Sequence, residues 1–196
     1  MEDKVRFRVD VSKVYWCSKL ATERSRIIKS YLRDGQVLCD MMCGLGPLSI
    51  KSAVKVKGLR VICNDLNPEG INYCRQNIKL NKVSDRVHAF NMDARAFAKM
   101  IIEQSNLPED KRTVPSECLR FDHVYMNLPV DAVEFLDVFR GLFRDANPAI
   151  WCEDPADLTS LKLPMIHVNG FTYKKEQDDA LSYFVERIGK AMSYDF

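Results

Sequence analysis

The chain has 196 residues, 46% of them hydrophobic and 29% charged, with a net charge of +2, a profile that fits one compact domain with a substantial core and argues against disorder. No apolar run approaches the roughly 20 residues a bilayer-spanning helix requires, and the opening Met1-Glu2-Asp3-Lys4 is too charged for the apolar core of a signal peptide. Neither a membrane protein nor a secreted one is expected. The small net charge conceals an asymmetry: nine basic and four acidic residues give +5 over residues 1–33, against 20 basic and 23 acidic, net −3, over the remainder. A basic first segment on a near-neutral body suits a polyanion approaching one side, although a solvated helix face looks the same.

In chain order, Phe7, Val9 and Val11 alternate with Arg8 and Asp10, the period of two expected of a half-buried strand running toward Tyr15. From about 20 to 32, Ala21, Ile27, Ile28, Tyr31 and Leu32 recur at helical spacing, with Thr22, Glu23, Arg24 and Arg26 on the polar face. After Gly35, short apolar runs at 37–42, 59–63, 87–90, 121–126 and 165–168 alternate with amphipathic stretches at 48–56, 68–80, 94–104, 132–143 and 179–192. Strand followed by helix in repetition predicts a parallel sheet covered on both faces, because right-handed crossovers place the helices there. The expected fold class is thus α/β, doubly wound and mainly parallel, preceded by a short β-strand and helix. Two proline-bearing insertions, 105–120 and 145–164, interrupt the alternation just before the fourth and fifth strands.

The seven cysteines (17, 39, 43, 63, 74, 118 and 152) are widely spaced, without a C-x-x-C pair or a histidine at ligand spacing. They read as reduced, mostly buried small hydrophobes, and no metal is expected. His88, His123 and His167 each fall inside an expected strand and are taken as core or edge histidines rather than bases.

The chemistry concentrates at strand ends. DMMCGLGPLS (40–49) closes the first strand of the alternating region and opens a helix. Gly44 and Gly46 permit positive φ and close approach to a ligand, and Pro47 suits the first helical turn, whose free amides point the same way. The second strand ends in NDLNPEG (64–70), with Asp65 placed 21 residues after Gly44 to accept hydrogen bonds from a ribose diol. Asn67 is available as the helix cap there, which leaves Asp65 free. The third strand ends in NMDAR (91–95), bringing Asp93 to the same sheet edge. Loops beyond the carboxyl ends of parallel strands form the ligand crevice of such sheets, so the three segments point to a nucleoside site.

A dinucleotide fingerprint needs glycine or alanine where Ser49 stands, which disfavours NAD. Acidic surroundings without a pyrophosphate anchor suit a positively charged nucleoside, and S-adenosylmethionine has a sulfonium and an amino group; Asp40 could receive that amino group or be an ordinary polar strand end. The fourth strand ends in MNLP (126–129), where Asn127 offers a carbonyl acceptor and an amide donor and Pro129 stiffens the turn that aims it. That combination suits recognition of a planar, amide-like edge.

Taken together, KVYWCSKLATER (13–24), DMMCGLGPLS (40–49), NDLNPEG (64–70), NIKLN (77–81) and MNLPVDAVEFLD (126–137) resemble the archaeal and eukaryotic tRNA (guanine-N1)-methyltransferases that modify position 37 beside the anticodon, over about residues 5–192. The resemblance implies a class I, Rossmann-like methyltransferase fold, S-adenosylmethionine as cofactor and tRNA as partner. It implies Glu23 as acceptor of the N1 proton, Asn127 and Pro129 as holders of the guanine edge, and Lys19 and Arg24 as substrate contacts. Cofactor contacts fall to Tyr15, near base or cofactor, to Asp40, Cys43, Gly44, Gly46 and Asn127, to Asp65 on the ribose, and to Asp93 on the adenine side with Leu66 and Ala94 beside them. The family usually has Arg where Lys19 stands, and an ammonium cannot copy a guanidinium fork on phosphate.

The family also has an N-terminal domain, a linker with a basic residue thought to neutralise charge on the guanine, and a final strand pair. Residues 1–19 are therefore expected to end a preceding β-rich region, and 20–196 to form a catalytic domain lacking its last strands. Such a piece is expected to be a monomer and to bind cofactor, with catalysis and whole-tRNA recognition needing the flanks. The expected location is the cytoplasm, with nuclear and mitochondrial pools. Three alternatives stand beside this: transfer of the aminocarboxypropyl group from the same cofactor in the wybutosine pathway, a binding module without chemistry, and a dinucleotide oxidoreductase.

Overall fold

The sheet is built on β1 (Val37–Asp40), whose four residues are all buried, as a central parallel strand requires. In a computed structural model, which describes residues 3–172 and 179–193, β1 lies between β2 (Arg60–Asn64) and β4 (His123–Asn127); β3 (Val87–Phe90) and β5 (Met165–Asn169) form the edges. All four pairings are parallel, and the order is β3-β2-β1-β4-β5. The direction of winding reverses at the β1/β4 boundary, so a crevice opens there beyond the carboxyl ends.

One face is covered by α1 (Ala21–Ser30), α2 (Pro47–Lys55) and α3 (Pro68–Leu80), which contribute Ile27, Ile28, Leu48, Ile50, Ile71 and Ile78 to one core cluster. The other face carries α4 (Ala94–Ser105) and α6 (Ala180–Met192), with Phe97, Ile101 and Phe121 in the second cluster. The two insertions form short 3-10 turns and α5 (Pro148–Trp151). They supply an anchor, Trp151, fully buried with its ring edge-on to Phe121 at 5.0 Å.

Two expected elements are corrected. The alternating stretch 7–11 is not a strand of the sheet, and Val11 is 74% exposed. The chain from Arg6 to Arg8 instead runs along α3, where two carboxamides act as peptide surrogates. Asn81 accepts from Arg6 N at 3.1 Å and donates to Arg6 O at 2.7 Å, while Asn77 accepts from Arg8 N at 2.7 Å and donates to Arg8 O at 3.0 Å. Four helical residues advance about 6 Å and two extended residues about 6.6 Å, so the repeats match. This is the structural use of NIKLN.

The second correction concerns 132–143, which forms 3-10 turns at Glu134–Phe139 and Leu142–Asp145 rather than an α-helix. Arg140 is extended and Gly141 takes φ +70°, which breaks the run while Leu136, Val138 and Phe139 remain buried. Apolar spacing alone does not separate the two helix types. The histidines do lie in strands β3, β4 and β5, and His123 Nδ1 meets His167 Nε2 at 3.2 Å. All seven cysteines are free thiols and five are buried.

Candidate functional site

A crevice of about 320 Å³ lies over the carboxyl ends of β1, β2 and β4, lined by the loops that follow them and by residues from the segment 14–24. The β1 loop supplies Met42 to Leu45 and Pro47, the β2 loop Asp65 and Asn67, and the β4 loop Asn127 to Pro129. The strand tips are laced together beneath it by buried Asn64. Its carboxamide donates to Met41 O at 3.3 Å and Met92 O at 2.9 Å and accepts from Met92 N at 3.0 Å. Asn91 adds a tie by donating to Asp65 O at 2.7 Å.

The glycine loop is fixed from two sides. Gly44 has φ +56° and Gly46 φ +85°, left-handed conformations that favour glycine. A Cβ at Gly46 would stand 2.7 Å from Cys74 Sγ, whereas nothing lies within 4 Å of a Cβ position at Gly44, which lines the crevice. Pro47 opens α2 at its first turn with no side-chain cap, leaving amides available to a ligand.

Asp65, expected from the sequence to be free, is engaged through both oxygens. Oδ2 accepts from Gly44 N at 2.7 Å and Oδ1 from Asn67 N at 2.9 Å. Asn67 does cap α3, accepting from Glu69 N at 3.0 Å. A carboxylate has about four acceptor directions, so Asp65 both locks the glycine loop and keeps acceptor capacity for hydroxyl donors. A rigid glycine loop with an acidic group beside it fits a nucleoside with a ribose diol.

On the β4 side, Asn127 Oδ1 accepts from Asn169 Nδ2 at 2.7 Å. That contact orients the carboxamide and leaves its NH₂ as the group offered to a ligand. The opposite wall is the segment 14–20, with Val14, Tyr15, Trp16, Cys17 and Leu20. It is held by Arg24, buried at 4% exposure, whose guanidinium donates to Cys17 O at 3.3 Å and lies 5.6 Å from the Trp16 ring. Asn67 donates to Lys13 O at 3.3 Å, tying the wall to the β2 tip.

Of the residues singled out from sequence, the crevice brings together Tyr15, Arg24, Cys43, Gly44, Asp65, Asn127 and Pro129. Lys19, Glu23, Asp40, Gly46, Leu66, Asp93 and Ala94 are not in its lining. Glu23 is bound in a fork by Arg26, at 2.8 and 2.7 Å, which holds its carboxyl below the usual range. Asp40 is buried behind the glycine loop, with Oδ2 accepting from Ser49 at 2.6 Å and Oδ1 without a partner; burial pushes its pKa up to about 8. Asp93 caps α4, Oδ1 accepting from Arg95 N and Ala96 N at 2.9 and 3.1 Å. Leu66 is 70% exposed, and Ala94 is buried in the core. Sequence reasoning missed the lacing residues Asn64 and Asn91, although both stand at strand ends as Asn-Asp and Asn-x-Asp. It also missed Val14, Trp16, Cys17 and Leu20 as a wall, which docks through tertiary contacts and has no local signature.

Residues 1–149 match the TRM5/TYW2 methyltransferase domain. The chain belongs to that family. Within it, the chain is 42% identical over 193 residues to tRNA (guanine(37)-N(1))-methyltransferase 1 of Vitis vinifera, a match covering 98% of this chain and 28% of the relative. Among solved structures, the Trm5b of Pyrococcus abyssi superposes with a TM-score of 0.65 at 29% identity, over 98% of this chain and 45% of that one. The Trm5 of Methanocaldococcus jannaschii, solved in complex with adenosine, matches 70% of this chain and 36% of its own with a TM-score of 0.53 and 31% identity. The chain thus spans less than half the length of these TRM5/TYW2 relatives, and its fold is the family's: a five-stranded parallel sheet with flanking helices. None of the described helices is long and apolar enough to cross a membrane.

Proposed function

We propose that the chain is the catalytic part of a tRNA (guanine-N1)-methyltransferase acting at position 37. The observation that carries this reading is the joining of Gly44, Asp65 and Asn127 in one crevice at the β1/β4 boundary of a TRM5/TYW2 domain. S-adenosylmethionine, when bound, supplies a methyl group on a positively charged sulfur. The residues that would hold it are the 43–47 loop and the acceptor oxygens of Asp65, which face hydroxyl donors while fixing Gly44. That the M. jannaschii relative was solved in complex with adenosine supports a nucleoside as the ligand.

N1 of guanine bears a proton and is a poor nucleophile until that proton leaves. As N1 is deprotonated, negative charge spreads onto O6, and the Asn127 NH₂, its carboxamide oriented by Asn169, is our candidate donor to that oxygen. Pro129 stiffens the turn that carries Asn127. Glu23 is our candidate for the proton acceptor. Arg26 keeps it ionised, as a base must be, and taking up the proton requires the fork to Arg26 to open. Arg24 contributes a buried cation to the crevice wall, and Lys19 an exposed one beside it, for a polyanionic substrate.

We read 20–196 as the catalytic domain, with 1–19 ending a preceding unit while lending the crevice its wall from Val14 to Cys17, acting as a monomer in the cytoplasm with nuclear and mitochondrial pools. The test is a full-length form with flanks restored, supplied with tRNA carrying guanine at position 37. The expected product is heavier by one methyl; a gain of a four-carbon amino acid group instead would assign the aminocarboxypropyl transfer. Glu23→Ala and Asn127→Ala are each expected to lower turnover about 100-fold. Normal turnover in both would remove the assigned mechanism.

A further inference from the structure

We propose that Cys43, Cys63 and Cys74 form a three-thiolate binding site for a soft divalent metal ion of the zinc class, seated directly beneath the glycine loop. These residues are 20 and 11 positions apart and show no ligand spacing in the sequence. The fold nevertheless draws them together from the loop after β1, from β2 and from α3, with their sulfur atoms all within 4.8 Å of one another. Cys63 Sγ and Cys74 Sγ are 3.9 Å apart. Thiolates around one ion at about 2.3 Å make a triangle with sides of about 4.0 Å, so that pair already stands at ligating separation, and Cys43 has under an ångström to close. Sulfur-only ligation selects zinc and its softer relatives over magnesium or calcium.

Access and a fourth ligand come from the same feature. Cys63 and Cys74 are fully buried and Cys43 is 4% exposed, but Cys43 also lines the crevice, so an ion entering there meets Cys43 first, and a water from that side is the proposed fourth ligand. Each metal–sulfur bond forms as an S–H bond is lost, its proton passing to solvent, and no electrons change hands. An ion in this position would staple loop, strand and helix together, and Cys74 Sγ already abuts Gly46. The proposal does not depend on which reaction the crevice performs.

The test uses the whole chain, reduced and freed of metal with a chelator, then titrated with cadmium and with zinc. A parallel sample is refolded from denaturant in the presence of cadmium, so that depth of burial cannot prevent loading. One equivalent is expected, with near-ultraviolet thiolate-to-cadmium absorption of three-sulfur intensity and a thermal midpoint that rises with metal concentration. Changes outside a metal's ligand shell alone cost about 10- to 100-fold in affinity, so Cys43→Ala, Cys63→Ala and Cys74→Ala are each expected to lose more than 100-fold. Cys39→Ala and Cys118→Ala, buried thiols outside the trio, serve as controls for general effects of removing a core thiol and should bind as the parent does. The site is refuted if neither titrated nor refolded protein holds an equivalent, or if the equivalent persists after all three are replaced together. Binding that disappears with Cys17→Ala and Cys152→Ala, the two partly exposed thiols, would equally refute it.

Discussion

The tips of β2 and β3 carry the same kind of residue to the same edge of the sheet, yet the two carboxylates have different fates. Asp65 stands two positions before the cap of α3, so Asn67 binds the helix amide and Asp65 turns toward Gly44 and the crevice. Asp93 stands one position before α4 and is itself the cap, its Oδ1 engaged by the first helical amides. A shift in the distance between acid and helix start therefore separates a group facing the ligand space from one serving the fold. Asp40, at the tip of β1, shows a third outcome: it is buried and held toward its neutral form.

The largest effect is expected at β2. Asp65→Ala removes the acceptor that locks Gly44 N and the acceptor offered to a ligand; hydrogen bonds to a charged group contribute about 1.5–3 kcal/mol. Calorimetry with S-adenosylhomocysteine should show affinity falling by roughly 10- to 100-fold. An unchanged affinity would erase the distinction between the two tips.

At β1 the expected signature is a pH dependence. The folded pKa of Asp40 is raised from 3.8 to about 8, so the native state retains a proton that the unfolded chain releases. Stability contributed by this group is complete below about pH 4 and is lost as pH rises toward 8. Asp40→Asn should flatten that decline, most visibly in urea melts at pH 5 and pH 8 compared with the parent; parallel curves would show that the carboxyl is ionised in the fold.

The smallest effect belongs to β3. Asp93→Ala should cost about 1 kcal/mol, the usual value of a helix cap, and Asp93→Asn less, since asparagine caps as well. Cofactor affinity should change little in either. A loss comparable to that of Asp65→Ala would give the two tips one role.

Much of the sheet was legible because central parallel strands are buried on both faces and therefore write continuous apolar runs, as at β1 and β4. The helix at 68–80 announced itself through Pro68 after Asn67, and the one at 94–105 through its amphipathic spacing, whereas Asp93, expected on the adenine side, is its cap. Alternation at 7–11 was silent about partner, since a strand-like segment can pair with side-chain amides, as Arg6 and Arg8 do, as well as with another strand, and the chain already turns at 11–13. At 132–143 the apolar positions were buried as their spacing implied, but Gly141 divided them into tighter turns. In the site, residues brought by strand ends were legible because topology alone gathers them. The wall at 14–20 and the meeting of Cys43, Cys63 and Cys74 depend on packing between distant elements, which spacing does not encode.

The hold of Asn77 and Asn81 on the leading segment has a consequence of a different kind. Both carboxamides grip main-chain atoms of Arg6 and Arg8, and those two guanidinium side chains stand out in solvent. The attachment is thus indifferent to what those positions bear. Charge there is open to mutational drift or tuning at little thermodynamic penalty, while the path of the chain stays pinned by a rail that reads only peptide groups.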